Sequence, residues 1–284
     1  MDYYIVIPIH NEEAFLKSTL DSILQQTLLP KKVVLVNDNS TDNTEHIINE
    51  FCTKSNVFEY LYSTSSTQHM PGSKVINAFN KGLELLDDNY NFIVKLDADV
   101  ILPTNYFEVL ASHFKTNNNL GIAGGFIYEQ NDTGKWVLNH PMDKDHVRGA
   151  IKAYSKACFK AIGGLKNAMG WDTVDELLAR FHGFSIYTEA NLHVKHLRPT
   201  GKGYNARAKK LQGKAMYTMR YGFAITCIAS IKMAMKNKSI KSFWNNMLGY
   251  TQSLLNGRAY LVTKEEGKFI RNLRWTNIKR KIIA

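Results

Sequence analysis

The chain has 284 residues, of which 44% are hydrophobic, so it can bury a sizeable core as one large domain with an appendage. Its formal net charge at pH 7 is +11. The best apolar run, 223–231, stops at Lys232 and is shorter than the roughly 20 residues that a spanning helix needs, so the sequence predicts no membrane-spanning segment. The chain opens directly on a predicted core strand, so we expect no signal peptide.

The first hundred residues alternate between predicted strands and predicted helices. The strands are predicted at 3–9, 32–36, 58–62 and 92–96, and the helices at 15–24, 45–51 and 77–86. The first two strands both run into polar segments, and the second of these is rich in the Ser, Thr and Asp residues that cap helices. The alternation predicts an α/β fold with a largely parallel sheet flanked by helices.

The apolar strand 92–96 ends on two alternate carboxylates, Asp97 and Asp99, with only Ala98 between them. Ligands of open α/β sheets bind at the carboxyl ends of the strands, and two alternate carboxylates can turn toward one metal ion. Such a pair is suited to hold a divalent cation against a diphosphate. Asp-x-Asp is also common as a solvated turn, so the rest of the chain must support the interpretation.

Three segments within the first hundred residues resemble the nucleotide-site motifs of family 2 glycosyltransferases with the GT-A fold, of the bacterial cell-envelope polysaccharide type. These segments read I-V-I-P-I-H-N-E-E, V-L-V-N-D-N-S-T-D-N-T and K-L-D-A-D. Their order and spacing together carry the resemblance, which continues to about residue 203. Later matches are Arg148-Gly149-Ala150, Ile162-Gly163-Gly164-Leu165, the acidic segment 170–176 and the segment 196–201.

The resemblance implies a nucleotide-diphosphate sugar as co-substrate, with uridine and guanosine diphosphates favoured. Many members carry two aspartates after the second strand, whereas this chain has Asn37 before Asp38. We therefore place the base contact on Asp38, whose carboxylate can accept a hydrogen bond from uracil or guanine. By the same resemblance Pro8 and Glu12 border the nucleoside, and Lys74 lies near the base or the phosphates, although an ordinary surface lysine fits its sequence equally well.

The same resemblance implies a bound Mg²⁺ or Mn²⁺ at Asp99. Hard oxygen ligands suit these cations, which stabilise the charge that develops on a departing diphosphate. Asp97 would reach the ribose or share the metal. His196 resembles the histidine that completes the metal site in many GT-A enzymes, and the alternative is a structural histidine. His193 is expected on the opposite face of the same strand.

The acidic segment 171–178 is expected to supply the general base that deprotonates the acceptor, at the start of a helix that ends near Gly183. We select Asp175, with Asp172 and Glu176 as alternates. Acidic residues in a first helical turn are also favoured by the helix dipole alone, and Asp172 is a credible N-cap. With one base and no evident covalent nucleophile, we expect direct displacement with inversion at the anomeric carbon.

The domain organisation follows from these motifs. We expect a catalytic GT-A domain over residues 1–205, with a nucleotide half of about 1–103 and an acceptor half of about 104–205. The acceptor half should contain a further strand at 120–128. Residues 206–284 then form a basic, amphipathic helical tail, in which we predict one helix over Met216 to Met235.

Charge is divided unevenly between the two parts of the chain. Residues 1–194 hold 16 Lys and Arg against 23 Asp and Glu, a net of −7, whereas residues 195–284 hold 20 against 2, a net of +18. Basic residues interleaved with apolar ones are typical of helices at anionic lipid surfaces. This pattern therefore predicts a peripheral membrane protein, and the resemblance to family 2 glycosyltransferases implies a glycan or lipid-linked acceptor. The alternative is a tail that packs on the catalytic domain and only solvates its outside.

Two other classes of protein fit parts of the sequence. A nucleotidyltransferase also binds nucleotides on an α/β sheet, but the first strand here leads into acidic residues instead of a glycine-rich basic loop. A nucleic-acid-binding protein could use the basic tail, but the sequence contains no recognised DNA or RNA module. Three widely spaced cysteines suit a reducing compartment, so we expect a location in the cytoplasm at the inner face of the cell membrane. The sequence leaves the oligomeric state open.

Overall fold

The computed structural model describes residues 1–64, 72–139, 145–198 and 206–283. Its strands are β1 Tyr3–Ile9, β2 Lys32–Asp38, β3 Phe58–Ser63, β4 Phe92–Leu96, β5 Val100–Ile101, β6 Leu120–Gln130, β7 Trp136–Leu138, β8 Ile151–Ser155 and β9 Ser185–His196. The predicted boundary at residue 205 and the end of the matched segment 196–201 lie outside the described residues.

Ten helices are described. They are α1 Leu16–Leu24, α2 Thr44–Lys54, α3 Ser73–Leu83, α4 Tyr106–Thr116, α5 Lys156–Ala161, α6 Trp171–Phe181, α7 Ala206–Thr218, α8 Phe223–Lys236, α9 Ile240–Leu255 and α10 Lys264–Ile283. The helix predicted at 77–86 begins four residues earlier and ends three residues earlier, because Gly72, with φ of 80°, starts it.

The strands form one mixed sheet in the order β3-β2-β1-β4-β8-β6-β9-β5, and β7 pairs with β6. The first four strands of this order are parallel to one another. Strand β8 is antiparallel to both β4 and β6, and β6 and β9 are parallel. The predicted α/β class with a mostly parallel sheet is confirmed, with an antiparallel insertion in the middle.

This topology brings the ends of four strands to one edge of the sheet. β1, β2 and β4 are parallel, and β9 points the same way because two antiparallel steps separate it from β4. The residues at or just after these ends are His10, Asp38, Asp97 and His196. The polar segments that the sequence places after separate strands therefore meet at a single rim.

The two faces of the sheet are covered in different ways. On one face α3 packs closely, because a Cβ added at Gly82 would lie 2.5 Å from Val6 Cγ1 and 2.8 Å from Val36 Cγ2. On the other face Tyr3 stacks on Phe92 with 4.7 Å between the ring centroids. Both faces are apolar and buried, so the rim is the place where polar side chains of these strands can reach a ligand.

Helix α6 begins immediately after Gly170, which has φ of 82°. The predicted N-cap role of Asp172 is wrong, because Gly170 occupies the cap position and no side chain caps the helix. Asp172 lies in the first turn instead. The helix ends at Phe181 before Gly183, with φ of 83°, as the sequence predicts.

The tail is a bundle of four helices instead of one long helix followed by shorter ones. The helix predicted over Met216 to Met235 is broken between Thr218 and Phe223. Arg220 has φ of 55° and Gly222 has φ of 79°, so the chain leaves the right-handed helical region twice within three residues. Methionine and alanine content favours helix on either side of the break but does not carry the chain through it.

The inner side of the tail packs on helix α6 and on Gly170 at its start. Phe269 of α10 meets Phe181 of α6 with 5.6 Å between the ring centroids. Ala215 and Met219 lie beside Gly170 at the start of α6. Apolar residues from this inner side belong to the same core cluster as the sheet, so part of the tail packs as the alternative interpretation predicts.

Within the described part of the chain, we find no helix whose length and apolar character would let it cross a bilayer.

Candidate active site

The rim of the sheet carries a cluster of two carboxylates and one imidazole. Asp97, Asp99 and His196 place ligand atoms within 4.8 Å of one another. Asp97 and Asp99 come from the turn after β4, and His196 is the last residue of β9, where it pairs with Val100 of β5. His193 is exposed on the opposite face of β9, as expected from strand alternation.

The imidazole of His196 lies between two carboxylates. Its Nε2 is 3.3 Å from Asp99 Oδ1, and its Nδ1 is 3.0 Å from Glu129 Oε1. Burial alone would lower the pKa of His196, but the hydrogen bond and charge of Asp99, with the hydrogen bond of Glu129, raise it to about 9. With this raised pKa the imidazole carries a proton on each nitrogen near pH 7, and it donates to Asp99 through Nε2 and to Glu129 through Nδ1. A cation would take the place of the Nε2 proton while Nδ1 still donates to Glu129, which is the usual arrangement of a metal-binding histidine.

This donor set fits a divalent cation such as Mn²⁺ or Mg²⁺. Two carboxylates and one nitrogen supply hard or borderline ligands and leave further coordination positions for phosphate oxygens. Asp97 is also bound by the buried Nζ of Lys95, which donates a second hydrogen bond to the Gly149 carbonyl at 3.1 Å. The orientation of the Asp97 carboxylate is therefore set by the strand beneath it.

Glu12 lies on the same side of the rim. Its Oε2 is 2.6 Å from Nη2 of Arg198, and Nε of Arg198 is 3.9 Å from Asp99 Oδ2. Burial and the charge of Asp99 raise the pKa of Glu12 to about 7, and the ion pair with Arg198 offsets only part of that rise. Glu12 is thus beside the acidic cluster, and its contact with the nucleoside stays a prediction.

The loops after β1 and β2 are tied together by hydrogen bonds. His10 Nδ1 donates to the Asp38 carbonyl at 2.7 Å, and the Glu12 amide donates to Thr44 Oγ1 at 2.8 Å. The Asp38 carboxylate is buried and accepts a 3.4 Å hydrogen bond from Ser63 Oγ, which itself accepts one from Lys81. Asp38 therefore has a fixed position at the end of β2.

Pro8 and Lys74 are both partly exposed. Pro8 is the second-last residue of β1 and pairs with Val36. Lys74 is in the first turn of α3, whose preceding Gly72 lies against the backbone of Ala168. The start of α3 therefore lies against the loop before α6, and the predicted phosphate or base contact of Lys74 stays a prediction.

The three acidic residues of α6 have different surroundings. Asp175 is 1% exposed. Its carboxylate accepts hydrogen bonds from Lys152 Nζ at 2.9 and 3.0 Å and from the Tyr154 hydroxyl at 2.5 Å. Burial raises the pKa of Asp175 to about 6, although Lys152 acts in the opposite direction. An acceptor hydroxyl has no access to this carboxylate in the structure.

Glu176 belongs to the same buried network. Its Oε1 is 3.0 Å from Lys152 Nζ and accepts the Val147 amide, and its Oε2 is 3.0 Å from His146 Nδ1. Burial would raise the pKa of Glu176, but Lys152 and His146 lower it to about 2. Glu176 is therefore an ion-pairing residue of the interior.

Asp172 is the partly exposed member of the three. Its Cβ would lie 3.2 Å from a Cβ added at Gly149, and the Gly149 carbonyl accepts the hydrogen bond from Lys95. Because Lys95 also holds Asp97, three contacts link Asp172 to the acidic cluster, through Gly149 and Lys95. Among the three candidates, only Asp172 has a side chain that can be reached from solvent.

Comparison with known families identifies the chain. A family model described as Glycosyl transferase family 2 matches residues 4–171, which is more than half of the sequence. The chain is a family 2 glycosyltransferase. The resemblance of its three motifs to that family is confirmed.

The relatives of this family 2 glycosyltransferase include proteins of the bacterial cell envelope. It is 30% identical over 116 residues to poly-beta-1,6-N-acetyl-D-glucosamine synthase of Staphylococcus epidermidis, which covers 41% of this chain and 26% of the relative. It is 27% identical over 227 residues to the minor teichoic acid biosynthesis protein GgaB of Bacillus subtilis, covering 73% of this chain and 24% of the relative. The chain thus spans about a quarter of the length of each of these relatives.

Solved structures share the fold. The structure of S. aureus TarS 1–349 with UDP-GlcNAc superposes with a TM-score of 0.59 at 14% identity, covering 92% of this chain and 93% of that one. The mannosyltransferase PcManGT of Pyrobaculum calidifontis, in complex with GDP-Man and Mn²⁺, gives 0.58 at 13% identity, covering 97% and 80%. The family 2 glycosyltransferase therefore has the predicted GT-A fold, with additional helices at its C-terminal end.

Several residues that surround the site of this glycosyltransferase were not predicted from its sequence. These are Lys95, Glu129, Lys152, Tyr154 and Arg198. A lysine inside an otherwise apolar strand, as in F-I-V-K-L and I-K-A-Y, is the signal that was available. A buried lysine needs a carboxylate partner, so each of these two lysines predicts one nearby acid.

Proposed function

We propose that the enzyme transfers a hexosyl or N-acetylhexosaminyl group from a UDP- or GDP-sugar to a hydroxyl of a glycan or lipid-linked acceptor. The observation that carries the proposal is the cluster of Asp97, Asp99 and His196 at the carboxyl rim, beside the buried Asp38. TarS with UDP-GlcNAc and PcManGT with GDP-Man and Mn²⁺ support the donor class by sharing the fold.

The nucleoside is assigned to the ends of β1 and β2. Asp38 would accept a hydrogen bond from the base, and Pro8 would lie against the nucleoside. The hydrogen bonds between the two loops support this assignment because they fix the position of the Asp38 carboxylate before any ligand binds. Lys74 is assigned to the phosphates or the base. Uracil and guanine both satisfy a carboxylate acceptor, so the proposal covers both nucleotides.

The metal is assigned to Asp97, Asp99 and His196. When bound, Mg²⁺ or Mn²⁺ neutralises the charge that develops on the departing nucleoside diphosphate. Lys95 holds Asp97, and Glu129 holds the Nδ1 side of His196, so two of the three donors are oriented by neighbouring side chains. Arg198, which is half exposed and near Asp99, is positioned to contribute a further positive charge at the diphosphate.

We assign the general base to Asp172 instead of Asp175. Asp175 is enclosed by Lys152 and Tyr154, and Glu176 is paired with Lys152 and His146. Asp172 is partly exposed in the first turn of α6 and lies beside Gly149. A base must come within hydrogen-bond reach of the proton that it takes, and among these three carboxylates accessibility favours Asp172.

The proposed reaction is one displacement at the anomeric carbon. The acceptor oxygen forms a bond to that carbon, the bond from the carbon to the diphosphate oxygen breaks, and the acceptor proton passes to Asp172. The pair of electrons in the broken bond leaves with the nucleoside diphosphate. A single displacement inverts the configuration at the carbon.

The first test is thermal stabilisation by UDP, GDP, CMP and dTDP, each with and without Mn²⁺. A ligand at about 100 times its dissociation constant stabilises a folded protein by about 2.7 kcal/mol, which raises the melting temperature of a protein this size by about 5 °C or more. We expect this rise for UDP or GDP with Mn²⁺ in the wild type and in Asp132→Asn, whose carboxylate is exposed in the turn after β6. We expect it to be lost in Asp99→Asn.

The released product separates the alternatives. A glycosyltransferase supplied with its nucleotide sugar and acceptor releases a nucleoside diphosphate, whereas a nucleotidyltransferase releases pyrophosphate. Pyrophosphate release, or no stabilisation by any of the four nucleotides, would overturn the proposed function. Sequence-specific nucleic-acid binding that survives high salt would favour the third class.

A further inference from the structure

Helices α8 and α9 are joined by three residues, 237–239, and form a hairpin in the tail. Residues 235–244, here called the hairpin tip, carry three large apolar side chains that are mostly in solvent. Met235 is 74% exposed, Ile240 is 69% exposed and Trp244 is 65% exposed. Residues so close in sequence on either side of a short turn are also close in space, so they form one local apolar surface.

The burial pattern of α8 is inverted relative to an ordinary surface helix. Its buried positions include the small or polar Thr226, Ser230 and Ala234. Its exposed positions include Ile228, Ile231 and Met235, which recur at helical spacing on the outer face. A helix whose outer side faces only water normally has the opposite arrangement. The outer face of α8 is therefore built for an apolar surrounding.

Helix α9 shows the same inversion. Its buried positions include Ser242, Asn246, Gly249 and Ser253. Its exposed positions include three large apolar residues four or seven apart, which lie on one side of the helix: Trp244, Leu248 and Leu255. The buried sides of the two helices also contain Ile225, Met247 and Tyr250, so they are mixed, but most of their buried positions are small or polar. Two successive helices that expose large apolar side chains in this way make a chance distribution of surface residues a poor explanation.

The hairpin is firmly packed from behind. A Cβ added at Gly213 of α7 would lie 1.8 Å from the Asn246 carbonyl oxygen, and one added at Gly249 of α9 would lie 2.0 Å from the Lys210 carbonyl oxygen. The backbones of α7 and α9 are therefore in direct contact. Because small residues fill this contact, the large apolar residues of the hairpin are left on the outside.

The positive charge around the hairpin tip indicates which kind of surface it binds. Lys232, Lys236, Lys238 and Lys241 are exposed at and beside the hairpin tip, and residues 190–264 contain no Asp or Glu. A second copy of the chain would bring the same lysines against these, so a symmetric contact would be repulsive. Nucleic acid would match the charge but leave the aliphatic side chains in water. An anionic bilayer satisfies both, with lipid headgroups for the lysines and acyl chains for the apolar residues.

We propose that the hairpin tip and the outer faces of α8 and α9 bind the surface of an anionic membrane, with Met235, Ile240 and Trp244 inserted at the level of the headgroups. Trp244 has the side chain that prefers this depth, since its ring is apolar and its N–H is polar. The proposal concerns membrane binding alone and does not depend on the transferase reaction, because it can be tested without donor or acceptor.

The test is flotation of the full chain with vesicles of phosphatidylcholine and phosphatidylglycerol in equal parts, or of phosphatidylcholine alone. The salt concentration is about 0.1 M, where the Debye length is about 10 Å and surface charges still attract. We expect the wild type to float with the anionic vesicles only.

The apolar variant carries Met235→Ser, Ile240→Ser and Trp244→Ser. The charge variant carries Lys232→Gln, Lys236→Gln and Lys241→Gln. Each lysine removed should weaken binding about fivefold, or about 100-fold for three.

Matched controls change exposed residues elsewhere. Leu29→Ser with Leu85→Ser removes exposed apolar side chains from the catalytic domain, and Lys115→Gln with Lys135→Gln removes exposed charge there. Both should float like the wild type. All substituted side chains are exposed, so every variant should keep the melting temperature of the wild type, which distinguishes lost binding from lost folding.

Three results would overturn the proposal. The wild type could remain at the bottom of the gradient with anionic vesicles. The apolar variant could float as well as the wild type while the charge variant does not, which would mean adsorption of a basic tail without insertion. Light scattering could show a dimer that the apolar variant converts to a monomer without any vesicle binding, which would assign the surface to contacts between copies.

Discussion

Lys95 of β4 and Lys152 of β8 are directly paired across the sheet, and both side chains are buried beneath the ring of Trp171. The two Nζ atoms lie 5.2 and 5.9 Å from the centre of that ring. Lys95 turns toward Asp97, whereas Lys152 turns toward Asp175 and Glu176. Two adjacent buried lysines thus tie the metal-binding rim and the acidic helix to the same pair of strands.

The first prediction concerns Lys152. Replacing it by methionine leaves Asp175 and Glu176 buried side by side without their shared cation, and breaking a buried ion pair in this way costs about 3–5 kcal/mol. We therefore expect Lys152→Met to lower the free energy of unfolding by about that amount in urea denaturation. Lys160→Met is the matched control, because Lys160 is exposed and its surface pair with Asp88 is worth about 0–1 kcal/mol. Equal stabilities for the two variants would mean that the buried network contributes nothing.

The second prediction separates Asp172 from Asp175. Asp172→Asn should lower turnover by about 10² to 10⁴, the usual contribution of a positioned base, while nucleotide affinity stays near that of the wild type. Asp175→Asn should instead lower the free energy of unfolding, because Lys152 and Tyr154 lose a buried charged partner. Turnover measured on the folded fraction, with nucleotide affinity measured alongside, distinguishes the two roles. Full turnover in Asp172→Asn with loss only in stable Asp175→Asn would restore the original assignment.

Some residues of the site can be predicted from the sequence, and others cannot. Asp97 and Asp99 could be placed at the rim because they follow a recognisable strand, whereas His196 joined them only through the resemblance to family 2 glycosyltransferases. Lys95 and Lys152 could not be assigned, because the acids that each one pairs with depend on the order of β4, β8 and α6 in space. Local patterns give the position of a residue along an element, whereas pairing between elements is set by the topology of the sheet.

The sequence does not distinguish among the candidate bases, for a related physical reason. Within one helical turn, Asp172 and Asp175 differ only in which face of α6 they occupy. Acidic residues suit the first turn of any helix, so their chemical type does not distinguish the exposed one from the buried one. The burial of Asp175 depends on Lys152, which is 23 residues away in the sequence. In the tail, the helix-favouring composition predicts one continuous helix and gives no sign of the break at Arg220 and Gly222.

The third prediction concerns pH. The pKa of Glu12 is about 7 in the folded protein against 4.5 ordinarily, because burial and Asp99 disfavour its charged form. The folded state therefore binds more protons than the unfolded state between these values. The stability from this group is fully present below about pH 4.5 and is lost as pH rises through about 7. In the absence of metal, Glu12→Gln should gain in melting temperature relative to the wild type on going from pH 5 to pH 8.

Several titrating groups contribute to the pH profile of either protein, so the measured quantity is the difference between the two melting temperatures. Glu13→Gln, at the neighbouring position, is the control, and its difference from the wild type should not follow that of Glu12→Gln. A difference for Glu12→Gln that is constant from pH 5 to pH 8 would contradict the raised pKa of Glu12.

The fourth prediction concerns the contact between α7 and α9. Replacing a glycine by alanine inside a helix ordinarily stabilises it by about 1 kcal/mol. At Gly213 and Gly249 the sign should reverse, because the added methyl groups would fall 1.8 and 2.0 Å from backbone oxygens of the opposite helix. Overpacking of this kind costs about 1–3 kcal/mol, and here the obstacle is backbone, which cannot rotate away. Gly213→Ala and Gly249→Ala should each be less stable than the wild type, whereas Gln252→Ala, on the exposed side of α9, should not. Stability is measured by urea denaturation. A gain in stability at either glycine would mean that α7 and α9 are further apart than described. It would also contradict the close packing that leaves the apolar residues of the hairpin on the outside.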